Sequence, residues 1–362
     1  MSTFTVRDLL GIGAVVATGA AASSVLAACG AVPATRGGGK VVISGWGGAI
    51  QEAMRTAYFD PFTKETGISV EEVTFGGDGL AKLKAQLDEG RVQVDILDGP
   101  PFWTVVGQTQ NLLERIDPKY FDKANLIPGA LGDYGFGYAT VSWGITYNTQ
   151  TFGASHPRTW ADFWDTARFP GRRAMFGPLV ARHLEYALMA DGGAPAQVYP
   201  LDDARIERAF RKLTELKPSI AVWYQSGSQG EQLLQSKEVV LGEFFNGRTF
   251  YLADQGVPVD FEWNQAVMNF TTWVLARNAP NRENAQQLLG FMSRPEPQAR
   301  FAELIFYGPT NRKALDALKD EKIARRLPTH PDNLAKQVQL DGDWWGANLG
   351  KLAQRWNTLV AK

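Results

Sequence analysis

Residues 41–70 read VVISGWGGAIQEAMRTAYFDPFTKETGISV, and this stretch decides the fold. Residues 41–44 are a short apolar run, and residues 45–48 are a glycine-rich turn holding one tryptophan, Trp46. Ile50, Ala53, Met54, Ala57, Tyr58 and Phe62 then recur at i, i+3, i+4, i+7, i+8 and i+12, one face of an α-helix. Asp60 and Pro61 predict an N-cap followed by proline at the first helical position, and Gly67 predicts a helix stop. A second strand follows over residues 68–75. The unit is strand, turn, helix, strand, and its turn sits at the carboxyl end of the first strand.

The pattern continues outward. Leu80, Leu83 and Leu87 mark a helix after the GGDG turn at 76–79, and Val92, Val94 and Ile96 alternate in a strand ending at Asp98-Gly99-Pro100-Pro101. A helix over 102–113 completes βαβαβα, the pattern of a parallel sheet with helices on its faces. Ligands of such sheets bind beyond the carboxyl ends of the strands, which singles out the loops 45–48 and 98–102. Residues 138–147 alternate as a strand before Asn148, and Thr159–Asp162 form a capping-box-like helix start. A second α/β alternation follows. Strands are predicted at 173–176, 222–224, 239–245 and 257–261, and helices at 181–190, 204–217 and 229–235. A strand over 271–275, a helix over 281–293 capped by Asn281, and a mostly helical region over 314–362 close the chain.

At 362 residues the chain is long enough for two domains with real cores. Its 37 basic and 38 acidic residues give a formal net charge of −1, which argues against nucleic acid as a partner, since phosphate binding needs a basic surface. Eleven Trp, ten Tyr and twenty Phe supply rings for recognition pockets as well as for cores. The single cysteine, Cys29, rules out an intrachain disulfide and a thiolate metal cluster. It follows an uncharged run rich in Ala, Gly, Val and Leu and the motif Leu26-Ala27-Ala28-Cys29-Gly30, which looks like a bacterial lipobox. On that reading residues 1–28 are a lipoprotein signal peptide, and the lipid on Cys29 anchors the protein to a membrane, at the periplasm or cell surface. An uncleaved membrane helix and an ordinary signal cut near Ala28 are the other readings. "TVRDLLG" resembles a twin-Arg export signal with one Arg. Residues 29–39 are a flexible tether that reaches roughly 15–20 Å as a random coil.

Motifs for catalysis, metals and cofactors are missing. His156, His183 and His330 are scattered, no H-E-x-x-H or G-x-x-x-x-G-K-[ST] occurs, and GFGYAT at 135–140 lacks the third glycine of a dinucleotide fingerprint. Ser226 spoils a nucleophile elbow at 226–230, and Leu352 stands where a calcium loop starting at Asp341 needs Glu. No enzyme activity and no cofactor is expected.

"FTKETGISV" (62–70), "GITYN" (144–148), "WADFWD…RFPGRRAMF" (160–176) and "YGPTN" (307–311) resemble the spermidine/putrescine-type branch of the periplasmic solute-binding proteins of ABC importers, over residues 41–362. The resemblance implies a two-lobed α/β fold of the periplasmic binding protein type II arrangement, a Venus flytrap with a crossover-strand hinge. Lobe 1 is expected over 40–143 and 270–322 and lobe 2 over 144–269, with 323–362 a C-terminal helical segment packing on the lobes. The implied partners are a small-molecule ligand and an ABC importer permease, and a monomer is expected.

Carried over by position, the family's aromatic box falls at Trp46, Phe102, Phe245 and Tyr307. Its carboxylates are largely missing: one aligns with Thr271, a neighbouring aromatic with Asn269, and the acidic pair falls in 177–183, which holds Arg182 and His183 instead. An amide position aligns near Trp345. What remains is Gly47-Gly48 at a helix N-terminus, a natural anion site, with Arg172, Arg173, Arg182 and Arg248 as candidate partners, while Asp98 and Glu243 could receive an amine. The expected ligand is a small polar, amine-bearing or zwitterionic molecule. The alternatives are a true polyamine receptor using Asp98, Glu185 and Glu243, and a hydrolase or transferase on the same scaffold.

Overall fold

The computed structural model describes residues 38–75 and 78–361. The signal segment, Cys29, most of the tether and Gly76-Gly77 lie outside the described residues. Among the described residues eleven strands form one mixed sheet, whose main path runs β2-β1-β3-β9-β5-β8-β6-β7. In chain order these are β1 (Gly39–Gly45), β2 (Ile68–Thr74), β3 (Ile96–Gly99), β4 (Leu113–Glu114), β5 (Phe136–Asn148), β6 (Arg173–Phe176), β7 (Ile220–Tyr224), β8 (Leu241–Phe245), β9 (Val259–Ala276), β10 (Gly308–Pro309) and β11 (Val338–Gln339). β1, β2 and β3 are mutually parallel, and so are β6, β7 and β8. Between the two trios stand β5 and β9, long, antiparallel to each other, and shared by both. Because the returning strand β9 lies between β3 and β5, the order 2-1-3-9-5 is that of the type II binding-protein fold.

The opening unit forms as its residues suggest, with one correction. Gly67 ends the helix in the left-handed region at φ 76°, its N–H bonded to the Thr63 carbonyl at 2.8 Å. Asp60, however, is no cap: it has helical angles, and the helix runs from Gly48 to Thr66 through a π-helical turn at Arg55–Phe59. Pro61 has no N–H to give to the preceding turn, and the wider turn just upstream absorbs the mismatch.

The third predicted strand is shorter and later than its alternation suggests, spanning Ile96–Gly99, so Asp98 belongs to the strand rather than to a loop. The strands expected at 257–261 and 271–275 are one strand of 18 residues. Its pairing with β5 shifts between Trp143↔Val267 and Ile145↔Glu262. In the bulge Gln265 has φ 64°, its side-chain oxygen accepts from the Trp160 N–H, and its carbonyl accepts from Trp160 Nε1 at 2.9 Å. The capping box at Thr159 and Asp162 forms with both reciprocal bonds.

A 19-residue helix, Gly342–Val360, capped by Asp341, closes the chain. Gly346 lets it lie against Val105 beside β3, while its Trp345 and Trp356 reach residues beside β6. Trp345 Nε1 donates to Glu185 at 2.7 Å, and Trp356 Nε1 donates to the Gly177 carbonyl at 2.6 Å. It therefore bridges the helix that follows β3 and the segment that follows β6.

Candidate functional site

Directly opposed residues of antiparallel strands share a face, and along one strand every second residue does. Asp98 opposes Trp273 on β9, Thr271 opposes Ala139 on β5, Asn269 opposes Val141, and Phe245 of β8 opposes Trp143. One continuous face thus carries Asp98, Trp273, Thr271 and Asn269 from the β3 side and Trp143, Phe245 and Glu243 from the β8 side. Several buried polar atoms on this face have no hydrogen-bond partner among the described residues: Asp98 Oδ1, Trp273 Nε1, Thr271 Oγ1 and Asn269 Oδ1. Each such atom costs on the order of 1–3 kcal/mol, so a cluster of them marks a surface built for something other than stability.

At the β3 end, Asp98 is 3% exposed and accepts only the Tyr138 hydroxyl, at 3.0 Å on Oδ2. Burial pushes its carboxyl up to about 8, with the Tyr138 bond pulling the other way. At neutral pH burial thus favours the neutral acid over the carboxylate. The Tyr138 ring packs 5.6 Å from Trp273, and the half-buried Tyr307 lies near enough that both Arg248 and Asp98 act on its phenol. Burial pushes that phenol up to about 12. Gln51, also buried and with both amide atoms unpartnered, packs over Gly45, one step beyond the Ser44↔Leu97 pair and hence beside Asp98.

At the β8 end the chemistry is reversed. Glu243 is fully buried, yet its pKa falls below the ordinary value. Burial alone would raise it, but His183, Arg182 and the Phe176 N–H outweigh that. Arg182 Nε donates to Oε1 at 3.3 Å, the Phe176 N–H to Oε2 at 2.9 Å and the Tyr186 hydroxyl to Oε1 at 3.3 Å, with His183 Nε2 3.5 Å from Oε2. The Arg182 guanidinium lies 3.8 Å from the Trp143 ring centre and 5.7 Å from that of Phe176, and the Phe245 ring leans on Trp143.

The expected site residues separate accordingly. Asp98, Asn269, Thr271, Phe245 and Glu243 share the face, and Tyr307 stands next to it. Arg182 and His183 surround Glu243, whose oxygens are already engaged. Arg248, its side chain 46% exposed, pairs with Glu231 in the first turn of the helix Asn246–Asp254 that follows the carboxyl end of β8. Trp46 is 45% exposed at the end of β1 rather than enclosed, while Phe102 is buried in the core. Gly47 caps the helix start at φ 72° and Gly48 begins the helix. Arg173 is corrected to a buried brace whose guanidinium donates to the carbonyls of Phe163, Gly171 and Phe169, and Arg172 to a partner of Glu238. Glu185 is corrected likewise: Tyr199 and Trp345 share its Oε1. Tyr138, Trp143, Phe176, Trp273 and Gln51 are the residues the sequence did not single out. Their types, rings in alternating strands and one helix amide, look like ordinary core until the register is known.

A mixed sheet of this order, with unpartnered polar atoms gathered where two parallel trios meet on shared strands, defines a solute receptor of the type II periplasmic class. The chain belongs to the bacterial extracellular solute-binding proteins, whose family model matches residues 57–329. It is 32% identical over 326 residues to the gamma-aminobutyric acid-binding protein of Pseudomonas aeruginosa, covering 89% of this chain and 91% of that protein. It is 26% identical over 297 residues to the spermidine/putrescine-binding periplasmic protein of Escherichia coli, covering 79% and 81%. The crystal structure of an ABC transporter substrate-binding protein from Bradyrhizobium japonicum superposes with a TM-score of 0.83 at 35% identity, covering 89% of this chain and all of that one. The protein is a binding protein of the kind that captures a small solute in the periplasm for an ABC permease.

Proposed function

We propose that this receptor captures a small ω-amino acid or related zwitterion, with Asp98 taking the amino group and Arg248 the carboxylate. The observation that carries the proposal is the set of groups about Tyr307: the buried Asp98 carboxyl, which has a free oxygen, and the Arg248 guanidinium both act on its phenol, and Gly247, next to Arg248, packs against its ring. An ammonium beside Asp98 would supply the counter-charge the buried carboxyl lacks. The Pseudomonas aeruginosa and Escherichia coli relatives both take amines as ligands, but only γ-aminobutyrate also carries a carboxylate, and Arg248 gives a carboxylate something to meet. Closure of two lobes hinged on β5 and β9 would then be driven by the ligand's preference for the closed form.

Isothermal calorimetry with γ-aminobutyrate, putrescine and butyrate tests this. The expected order is γ-aminobutyrate well ahead of putrescine, which lacks the carboxylate, and of butyrate, which lacks the amine; putrescine binding as tightly would replace the reading with the polyamine one. Recovery of the ligand unchanged after incubation is expected of a receptor, and its turnover would point to an enzyme. The proposal extends to a monomer held at the membrane by a lipid on Cys29. Cys29→Ser should release the protein into the soluble fraction, and a protein still membrane-bound after that change would remove the anchor.

A further inference from the structure

Arg182 is placed against every local preference. It has φ 82° without being glycine, a conformation that costs on the order of 1–3 kcal/mol. It also caps the N-terminus of the helix His183–Ala190, the end whose partial positive charge disfavours a cation. Its guanidinium is nevertheless buried, 4% exposed, against the Trp143 and Phe176 rings and the fully buried Glu243. Phe176 and Phe245 end β6 and β8, so these rings stand at the carboxyl ends of parallel strands, where sheets of this kind hold ligands. Rings around a buried carboxylate are the elements of a site for an organic cation. One edge of the guanidinium, Nη2, has no partner.

We propose that Arg182 is a built-in occupant of a cation cage, and so a specificity-determining residue. Its side chain fills the space where a ligand's ammonium or guanidinium would sit between Trp143, Phe176 and Glu243. The cage then rejects cations, and the free Nη2 offers that end of the site to acceptor oxygens instead. Charge preference is inverted without losing the aromatic cage or its acid. The strain at residue 182 is the cost of holding the chain so that its own cation reaches the cage.

The inference sharpens the zwitterion reading but is tested apart from it. Methylguanidinium is titrated into wild type, Arg182→Ala and the double variant Arg182→Ala/Glu243→Gln, with Trp fluorescence and calorimetry as readouts. Wild type should show no saturable binding. Arg182→Ala should bind at least about tenfold more tightly than wild type, and the double variant should lose that gain. The melting temperature of Arg182→Ala should rise with methylguanidinium while that of wild type does not, which keeps the test valid when the variant is less stable. A folded Arg182→Ala with neither a binding signal nor a melting shift overturns the proposal, as does a gain that survives Glu243→Gln. Failure of wild type to bind γ-aminobutyrate, alongside a gain in Arg182→Ala, removes the zwitterion reading and leaves this one standing.

Discussion

Asp98, near the carboxyl end of β3, and Glu243, midway along β8, are two carboxyl groups on one face of the sheet, both almost wholly buried, and they end in opposite states. Burial drives Asp98 up to about 8 because a single tyrosine hydroxyl meets it. Burial pushes Glu243 the same way, yet Arg182, His183 and the Phe176 N–H bring it below the ordinary range. Depth alone therefore does not set the charge of a buried acid; the partners the fold brings to it do. An acid whose partners are all in place serves the fold, and an acid with an oxygen to spare is available to a ligand.

Breaking the completed pole should have the largest effect. Glu243→Gln leaves the Arg182 guanidinium buried without its counter-charge, and removing one partner of a buried pair costs about 3–5 kcal/mol. Urea unfolding at pH 7 should register that loss; a change under about 1 kcal/mol would mean that Glu243 does not hold Arg182. The depressed pKa gives the wild-type pair its pH signature. Its contribution to stability is present above the unfolded carboxylate value and lost as pH falls through the folded one.

Asp98→Asn is the opposite experiment. Ligand affinity should fall about 100-fold, by loss of a charge-assisted contact to the amine, while stability near neutrality stays level or rises. The sign follows from the raised pKa: the folded protein holds a proton that the unfolded chain releases, so stability is lost as pH climbs from about 4 towards about 8. This one group should contribute a slope of up to about 1.4 kcal/mol per pH unit over that window. Thermal or urea unfolding from pH 5 to pH 8 should show a flatter profile in Asp98→Asn than in wild type. Parallel profiles would mean that Asp98 is ionised in the free protein and that the contrast between the two poles is false.

The two poles were unequally legible in the sequence. Asp98 could be picked out because it follows an alternating strand in a βαβ series, where position along the chain already implies position at the ligand end of the sheet. Glu243 drew notice for the same reason, but its bond to Arg182 joins residues 61 apart and depends on β6 and β8 lying side by side. Nothing local announces that pairing, or the positive φ at Arg182. β9 was read as two pieces because Glu262, Asn264 and Gln265 carry polar side chains through a bulge, which interrupts the alternation that marks a strand. Asp60-Pro61 misled for the converse reason: the dipeptide is a strong local cap signal, overridden by a π-helical turn that packing of Tyr58, Phe59 and Phe62 into the core sustains. Local chemistry set the elements; only tertiary register turned Tyr138 and Trp143 from apparent core into site.

The finest test of the comparison is Tyr138→Phe, which removes the one partner Asp98 has without touching either charge. The ring would keep its packing against Trp273, so folding should change by about 1 kcal/mol at most. The hydroxyl lowers the Asp98 pKa, so its loss should leave the carboxyl still harder to ionise. An ammonium ligand needs the ionised form, and in wild type its affinity should rise with pH up to about 8 and then level off. In Tyr138→Phe the midpoint of that rise should move upward by about one pH unit. The loss of affinity should be about tenfold at pH 7 and shrink towards pH 9. Calorimetric titrations of γ-aminobutyrate across that range check it. A loss of the same size at every pH would make the Tyr138 hydroxyl a ligand contact in its own right, and the charge state of Asp98 would no longer be what separates the two ends of the site.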